Sequence, residues 1–400
     1  MQRPHERRRS AATAAAPGLL CVCNFPANTG YAWDFIESLY AGLGDRLAAG
    51  GIRTFVAYPK MAELPRTLAG SQATAVELDV ALKDATSLHA TLSFIRKNNI
   101  QAIYLCDRPV WDPRYAALRR AGVQRIIVHD HTSGDRTEPR GLKRLLKRAR
   151  MALPGSVADD VIAVSDFVAR RKRMVDLLAD TQVTRVWNSI EAVNLGADAP
   201  VRLRSAFGID RERPVIICAA RATSEKGIAT LLRAFDRMVA TYPANNTRPV
   251  LVYAGDGPAL EELRALRDSL PAKDDMIIAG FVDKAIELIA GADLCVVPSV
   301  WQEAFGLAAL EPMACGVAVV ATRVGGIPEV VIEGETGVLV TPGEEAELAH
   351  AMRTLLDDAA ERARLGANGR ARAREVFSRE QQLEQLQAIV AVGFNGQRHT

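Results

Sequence analysis

Short apolar runs alternate with helix-length amphipathic stretches along almost the whole chain. In the first half the runs predict strands at 18–24, 52–58, 101–106, 124–129, 160–164 and 183–187, with helical stretches such as 31–49 and 85–98 between them. A second series follows residue 200, with strands at 214–219, 249–254, 275–279, 293–297, 317–321 and 336–340 and further helices from 343 to about 392. Strands alternating with helices imply right-handed crossovers and parallel sheets covered on both faces. Residues 188–204, between the two series, carry no strong period and read as a hinge. Ligands of open α/β sheets bind beyond the carboxyl ends of the strands, so two such sheets in series would face one another across a ligand cleft.

Length and composition narrow the class further. A chain of 400 residues exceeds what one core usually holds, which favours two domains. With 48% hydrophobic and 24% charged residues the composition is that of an ordinary globular protein, excluding wholesale disorder, collagen-like structure and a disulfide scaffold. No run approaches the ~18–20 uncharged apolar residues that span a bilayer. Residues 1–16 are basic without the apolar core of a signal peptide and read as a flexible tail. Six cysteines sit mostly in apolar runs, without Cys or His neighbours at ligand spacing, so the expectation is buried reduced thiols and no metal.

Charge divides the chain. The net charge of +3 conceals 28 basic against 20 acidic residues in 1–200, and 22 against 27 in 201–400. Within 119–150 there are 10 basic and 3 acidic residues, which suggests that something anionic meets the first half. The stretch 138–155 combines leucines with lysines and arginines. It suits a membrane-surface helix, or, as the plainer of the two, a solvated basic helix whose leucines face the core. It lacks the interleaved aromatics of a nucleic-acid platform.

The densest chemical signal lies in 298–329. Glu303 and Glu311 flank Phe305-Gly306-Leu307 after a strand. A helix starting near Ala304 would place Glu303 and the N–H groups of 305–307 at a helix N-terminus, which favours an anion. Glu311, two turns on, could bind ribose hydroxyls and Glu303 those of a second sugar; each is equally at home as a helix-start or solvated carboxylate. Arg221 and Lys226 bracket another strand-to-helix loop, where two cations can hold a diphosphate, although a lone lysine there also suits solvent. Gly255 and Gly257 fall short of a dinucleotide fingerprint because Leu260 stands at the third glycine position. His129 ends a strand and is a candidate donor to a sugar hydroxyl, a structural histidine otherwise, with no third ligand for a metal. Gly30, in the turn 24–35, permits a positive φ or a close backbone approach.

These residues in this order resemble the family-4 retaining glycosyltransferases of the GT-B fold. The resemblance rests on Arg221, Lys226-Gly227, Gly255-Asp256-Gly257-Pro258, Gly280-Phe281-Val282, Pro298-Ser299, Glu303 to Leu307, Glu311, Gly325-Gly326 and Glu329. Val164-Ser165 and Trp187 to Ile190 extend it to nearly the whole chain. It implies two Rossmann-like doubly wound parallel-sheet domains: 17–195 on the acceptor side, 196–376 binding a nucleotide sugar, and 377–400 as a closing helix, returning to the first domain, and a tail. It implies a metal-independent, retaining hexosyltransferase of the cytoplasm or the inner membrane face. No cofactor is expected; the donor is a nucleotide-diphosphosugar, a UDP-sugar by preference, and the acceptor an anionic or lipid-linked hydroxyl compound of glycoconjugate or polysaccharide synthesis, with no nucleic acid. By the same resemblance Arg221 and Lys226 stabilise the diphosphate, and Glu303 contacts the transferred sugar with His129 beside it. Ala304, Phe305, Gly306 and Leu307 lie near sugar and phosphate, Glu311 takes the ribose, and Val282 meets the base. The family departures are Ala220, Ser189 and a single glycine in 24–35, the last leaving the part of Gly30 at the donor phosphate open. The alternatives are a catalytically silent nucleotide-sugar-binding protein and a nucleotide-sugar epimerase of similar fold.

Overall fold

The computed structural model describes residues 16–30, 32–191, 193, 198–242 and 248–394. Most of the expected tail, 1–15, and part of the expected hinge lie outside these residues. Among these residues thirteen strands form two parallel sheets. In the first sheet are β1 (Gly18–Val22), β2 (Arg53–Tyr58), β3 (Thr74–Glu77), β4 (Ile100–Cys106), β5 (Arg125–Asp130), β6 (Asp160–Ala163) and β7 (Val183–Arg185). In the second are β8 (Val215–Ala219), β9 (Val250–Ala254), β10 (Met276–Gly280), β11 (Leu294–Val297), β12 (Val319–Thr322) and β13 (Val338–Val340). The orders are β3-β2-β1-β4-β5-β6-β7 and β10-β9-β8-β11-β12-β13. Both are doubly wound, as the alternating pattern requires.

The described residues form two compact units, one drawn from 16–129, 149–160 and 386–394, the other from 130–148 and 161–385. Within the second unit, alternation along β8 shows why its strands are apolar throughout. Ile216 and Cys218 face one core with Leu231, Phe235 and Met352, while Val215 and Ile217 face another with Leu203 and Ile289. A parallel strand buried on both faces has no polar side to show.

Two elements depart from the expected pattern. Helix Ala199–Phe207 occupies part of the segment read as a hinge. It opens with a proline at N1/N2 and closes on Gly208 at φ +62°, and its Leu203 covers the second face of the sheet. Strand β3 was not expected; it is a four-residue edge strand, half exposed, that needs no apolar run. The expected last helix is present as Arg379–Ala391.

Candidate functional site

In the second sheet the strand order reverses between β8 and its neighbour β11. The loops after these two strands, 220–227 and 298–306, therefore leave the sheet side by side at its carboxyl edge, the place where open α/β sheets take ligands. Gly227 fixes how close they come. Its φ is +67°, and a Cβ there would lie 2.0 Å from the Pro298 carbonyl oxygen. The Val300 N–H donates to the Glu225 carbonyl at 2.9 Å across the same seam.

On this support Lys226 Nζ donates to Glu303 Oε1 at 2.6 Å, and Ser299 Oγ donates to the same oxygen at 2.7 Å. Thr322 Oγ1 holds the Ser299 carbonyl at 2.6 Å. From the other side Gly326 N–H donates to the Glu303 carbonyl at 2.9 Å, and Gly325 N–H donates to Gln302 Oε1 at 2.5 Å. Both charged side chains are partly buried, so their attraction is less screened than at an open surface.

The helix begins later than expected, at Leu307, behind Gly306 at φ +109°. Glu303 thus precedes the helix by four residues and is an ion-pair partner of Lys226 rather than a helix-start carboxylate. Ala304 and Phe305 are buried, and Leu307 is partly exposed. Glu311 stands in the second turn, partly buried, and burial pushes its carboxyl up to about 7, so the solvated alternative fails. Pro312 sits inside this helix, which continues to Cys315. Arg221 is exposed; the N–H of the next residue, Ala222, donates to the Asp256 carbonyl at 2.9 Å, binding the 255–258 turn to the lysine loop. Val282 follows β10 and is partly exposed beside the exposed Phe281.

A further segment of this unit abuts the glutamate loop. Gly134 N–H donates to the Gln302 carbonyl at 2.7 Å, and Arg171 Nη1 donates to the Gly134 carbonyl at 2.8 Å. Asp130 anchors the segment. Burial pushes its carboxyl up, but the Lys172 ammonium, the Thr132 hydroxyl and the Arg171 guanidinium outweigh that and hold it below the ordinary range.

In the first unit, His129 is buried on β5 with its Nδ1 2.7 Å from the Tyr104 hydroxyl of β4. Gly30 adopts φ +80° in the turn before helix Ala32–Ala48. Asn24 Nδ2 donates to the Cys106 carbonyl at 2.5 Å, tying that turn to the end of β4. Among the described residues the cysteines are free thiols, and no three His, Cys, Asp or Glu side chains group as a metal would require.

The structure therefore brings Lys226 and Glu303 into contact and sets Arg221, Val282 and Glu311 elsewhere in the same unit. Sequence reasoning missed Gln302, Thr322 and Tyr104. Tyr104 pairs in register with Ile127, and Cys106 with His129, a register that strand spacing alone does not reveal.

Two doubly wound parallel sheets, the second with a charged pair at its switch point, define a GT-B architecture. HepE from Anabaena, solved in complex with UDP and glucose, has the same fold: TM-score 0.74 at 19% identity, over 94% of this chain and 99% of that one. Residues 202–372 match the family Glycosyl transferases group 1. Among curated relatives, N-acetyl-alpha-D-glucosaminyl L-malate synthase of Bacillus anthracis is 32% identical over 188 residues, 47% of this chain and 48% of the relative. The GDP-mannose-dependent alpha-(1-6)-phosphatidylinositol monomannoside mannosyltransferase of Mycolicibacterium smegmatis is 31% identical over 268 residues, 63% of this chain and 66% of the relative. The matched stretches thus span about half to two thirds of these relatives' length.

Proposed function

We propose that the chain is a retaining hexosyltransferase that moves a sugar from a nucleotide-diphosphosugar to an acceptor hydroxyl. The observation that carries this reading is the Lys226–Glu303 pair on two loops packed at the switch point of the second sheet. A diphosphate needs cations where charge grows as it leaves, and Lys226, with Arg221 exposed on the same loop, supplies them. Glu303, held by Ser299, accepts hydroxyls of the transferred sugar, and Glu311 those of the ribose. Val282 meets the base, and the backbone of 304–307 lies along sugar and phosphate. Resemblance assigns His129 to the sugar and Gly30 to the donor phosphate.

In the step proposed, the acceptor oxygen bonds to the anomeric carbon as the bond from that carbon to the diphosphate oxygen breaks. The hydroxyl proton passes to a donor phosphate oxygen, and the nucleoside diphosphate leaves. The protein positions the partners and stabilises charge; no protein nucleophile and no metal take part. A UDP-sugar is the preferred donor, a reading supported by the UDP bound in HepE. The acceptor is an anionic or lipid-linked compound of glycoconjugate synthesis, met in the cytoplasm or at the inner face of its membrane through segment 138–155. The mycobacterial relative named for a phosphatidylinositol mannoside supports the lipid-linked form. No feature of the site favours an epimerase or a silent binder.

The test is donor turnover, by transfer or by hydrolysis, in wild type and Lys226→Ala. Loss of one charged donor to a developing anion is expected to lower kcat about 10²–10³-fold with the fold intact. Unchanged turnover in a folded variant would remove the diphosphate clamp.

A further inference from the structure

Helix Gly141–Met151 inverts the usual arrangement of an amphipathic surface helix. None of its residues is buried. Leu142, Leu145 and Leu146 are 72%, 67% and 53% exposed, and they share one face because residues three and four apart on a helix lie together. The half-buried side carries charge instead. Arg144 pairs with Glu138, and Lys147 Nζ lies 2.7 Å from Asp176, itself 3.2 Å from Lys172. Ion pairs therefore hold the helix down while its leucines point to solvent, the reverse of the core-facing leucines that the sequence suggested. Lys143 and Arg148, both exposed, flank the leucine stripe, and the helix has five basic residues and no acidic one.

An exposed apolar stripe marks a surface that something covers. A second copy of the chain would bring two such basic helices together, and their like charges oppose it. An anionic lipid surface satisfies both features: leucines enter the boundary between headgroups and acyl chains, while lysine and arginine reach the phosphates. We propose that helix Gly141–Met151 lies flat on an anionic bilayer, with Leu142, Leu145 and Leu146 inserted and Lys143 and Arg148 against headgroup phosphates. This deepens the membrane clause of the function proposed above and does not depend on the transfer reaction.

The test is co-sedimentation with vesicles of phosphatidylcholine alone and of phosphatidylcholine mixed with phosphatidylglycerol. The full chain binds the mixed vesicles and not the neutral ones, and binding weakens as salt is raised. The triple variant L142S/L145S/L146S and the double variant K143E/R148E each lose about tenfold or more in vesicle affinity. Donor hydrolysis by both variants stays at the wild-type rate, which shows that they fold and separates this test from that of the lysine clamp. Undiminished vesicle binding by the triple variant, or no binding of wild type to anionic vesicles at low salt, overturns the proposal. So does a wild-type dimer that the triple variant converts to monomer, since the leucines would then be covered by a second copy.

Discussion

Glu311 stands in an environment that its letter does not suggest. Burial lifts its carboxyl from 4.5 to about 7, so between those values the folded chain keeps a proton that the unfolded chain has released. The native state then binds more protons than the unfolded one, and stability falls as pH rises through that window, levelling above it. Glu311→Gln removes the fall. Denaturant unfolding should find the two proteins equally pH-sensitive below about pH 4.5, with the variant gaining up to about 3 kcal/mol on wild type by pH 8. Parallel curves throughout would show that burial does not perturb this group. The same carboxylate is proposed to accept ribose hydroxyls, which favours its ionised form. Calorimetric titration with UDP is therefore expected to tighten by about tenfold more from pH 6 to 8 in wild type than in the variant, the ligand's own phosphate titration being common to both.

At the scale of elements, the site is a seam between two loops, and Gly227 is its closest stitch. Gly227→Ala places a Cβ against the Pro298 carbonyl, in a backbone conformation that already disfavours side chains. The expected cost is about 2–4 kcal/mol, with donor turnover falling as the lysine and glutamate part. Gly343→Ala is the comparison, since Gly343 has φ +83° with open space around it and should show only the backbone strain, about 1–2 kcal/mol. Equal losses in the two variants, by denaturant titration, would mean that the seam has room to open.

Much of this scale was legible in the letters. Parallel strands covered on both faces must be apolar runs, so PVIICA, PVLVYA and DLCVV declared β8, β9 and β11 to within a residue or two. Edge strand β3 escaped because an edge needs no such run. Helix Ala199–Phe207 escaped although Pro200 and Gly208 mark its ends, because it buries only Ala199 and Leu203, too few positions to show a period. In the site, residue types on loops after strands pointed to Lys226 and Glu303. Their mutual contact depends on β8 lying next to β11, which no local pattern states.

For the whole molecule, two compact units imply that a ligand of one need not steady the other. UDP at about a hundred times its Kd adds about 2.7 kcal/mol to the unit that binds it. Amide hydrogen exchange is expected to slow by up to about a hundredfold in β8, β9 and β11 and to remain unchanged in β1 and β2. Protection confined to β1 and β2 would move the nucleotide to the wrong unit. GDP compared in the same way decides the base.

The bond from Lys226 to Glu303 also sets the character of the resting site. An ammonium already answered by a carboxylate 2.6 Å away carries little spare field for passing anions. On the function proposed, the resting site brings its own counter-ion, so buffer phosphate and chloride are expected to find it a poor host. On the same reading, a guest with hydroxyls for the glutamate and phosphates for the lysine relieves each partner of the other, so discrimination would begin before any reaction does.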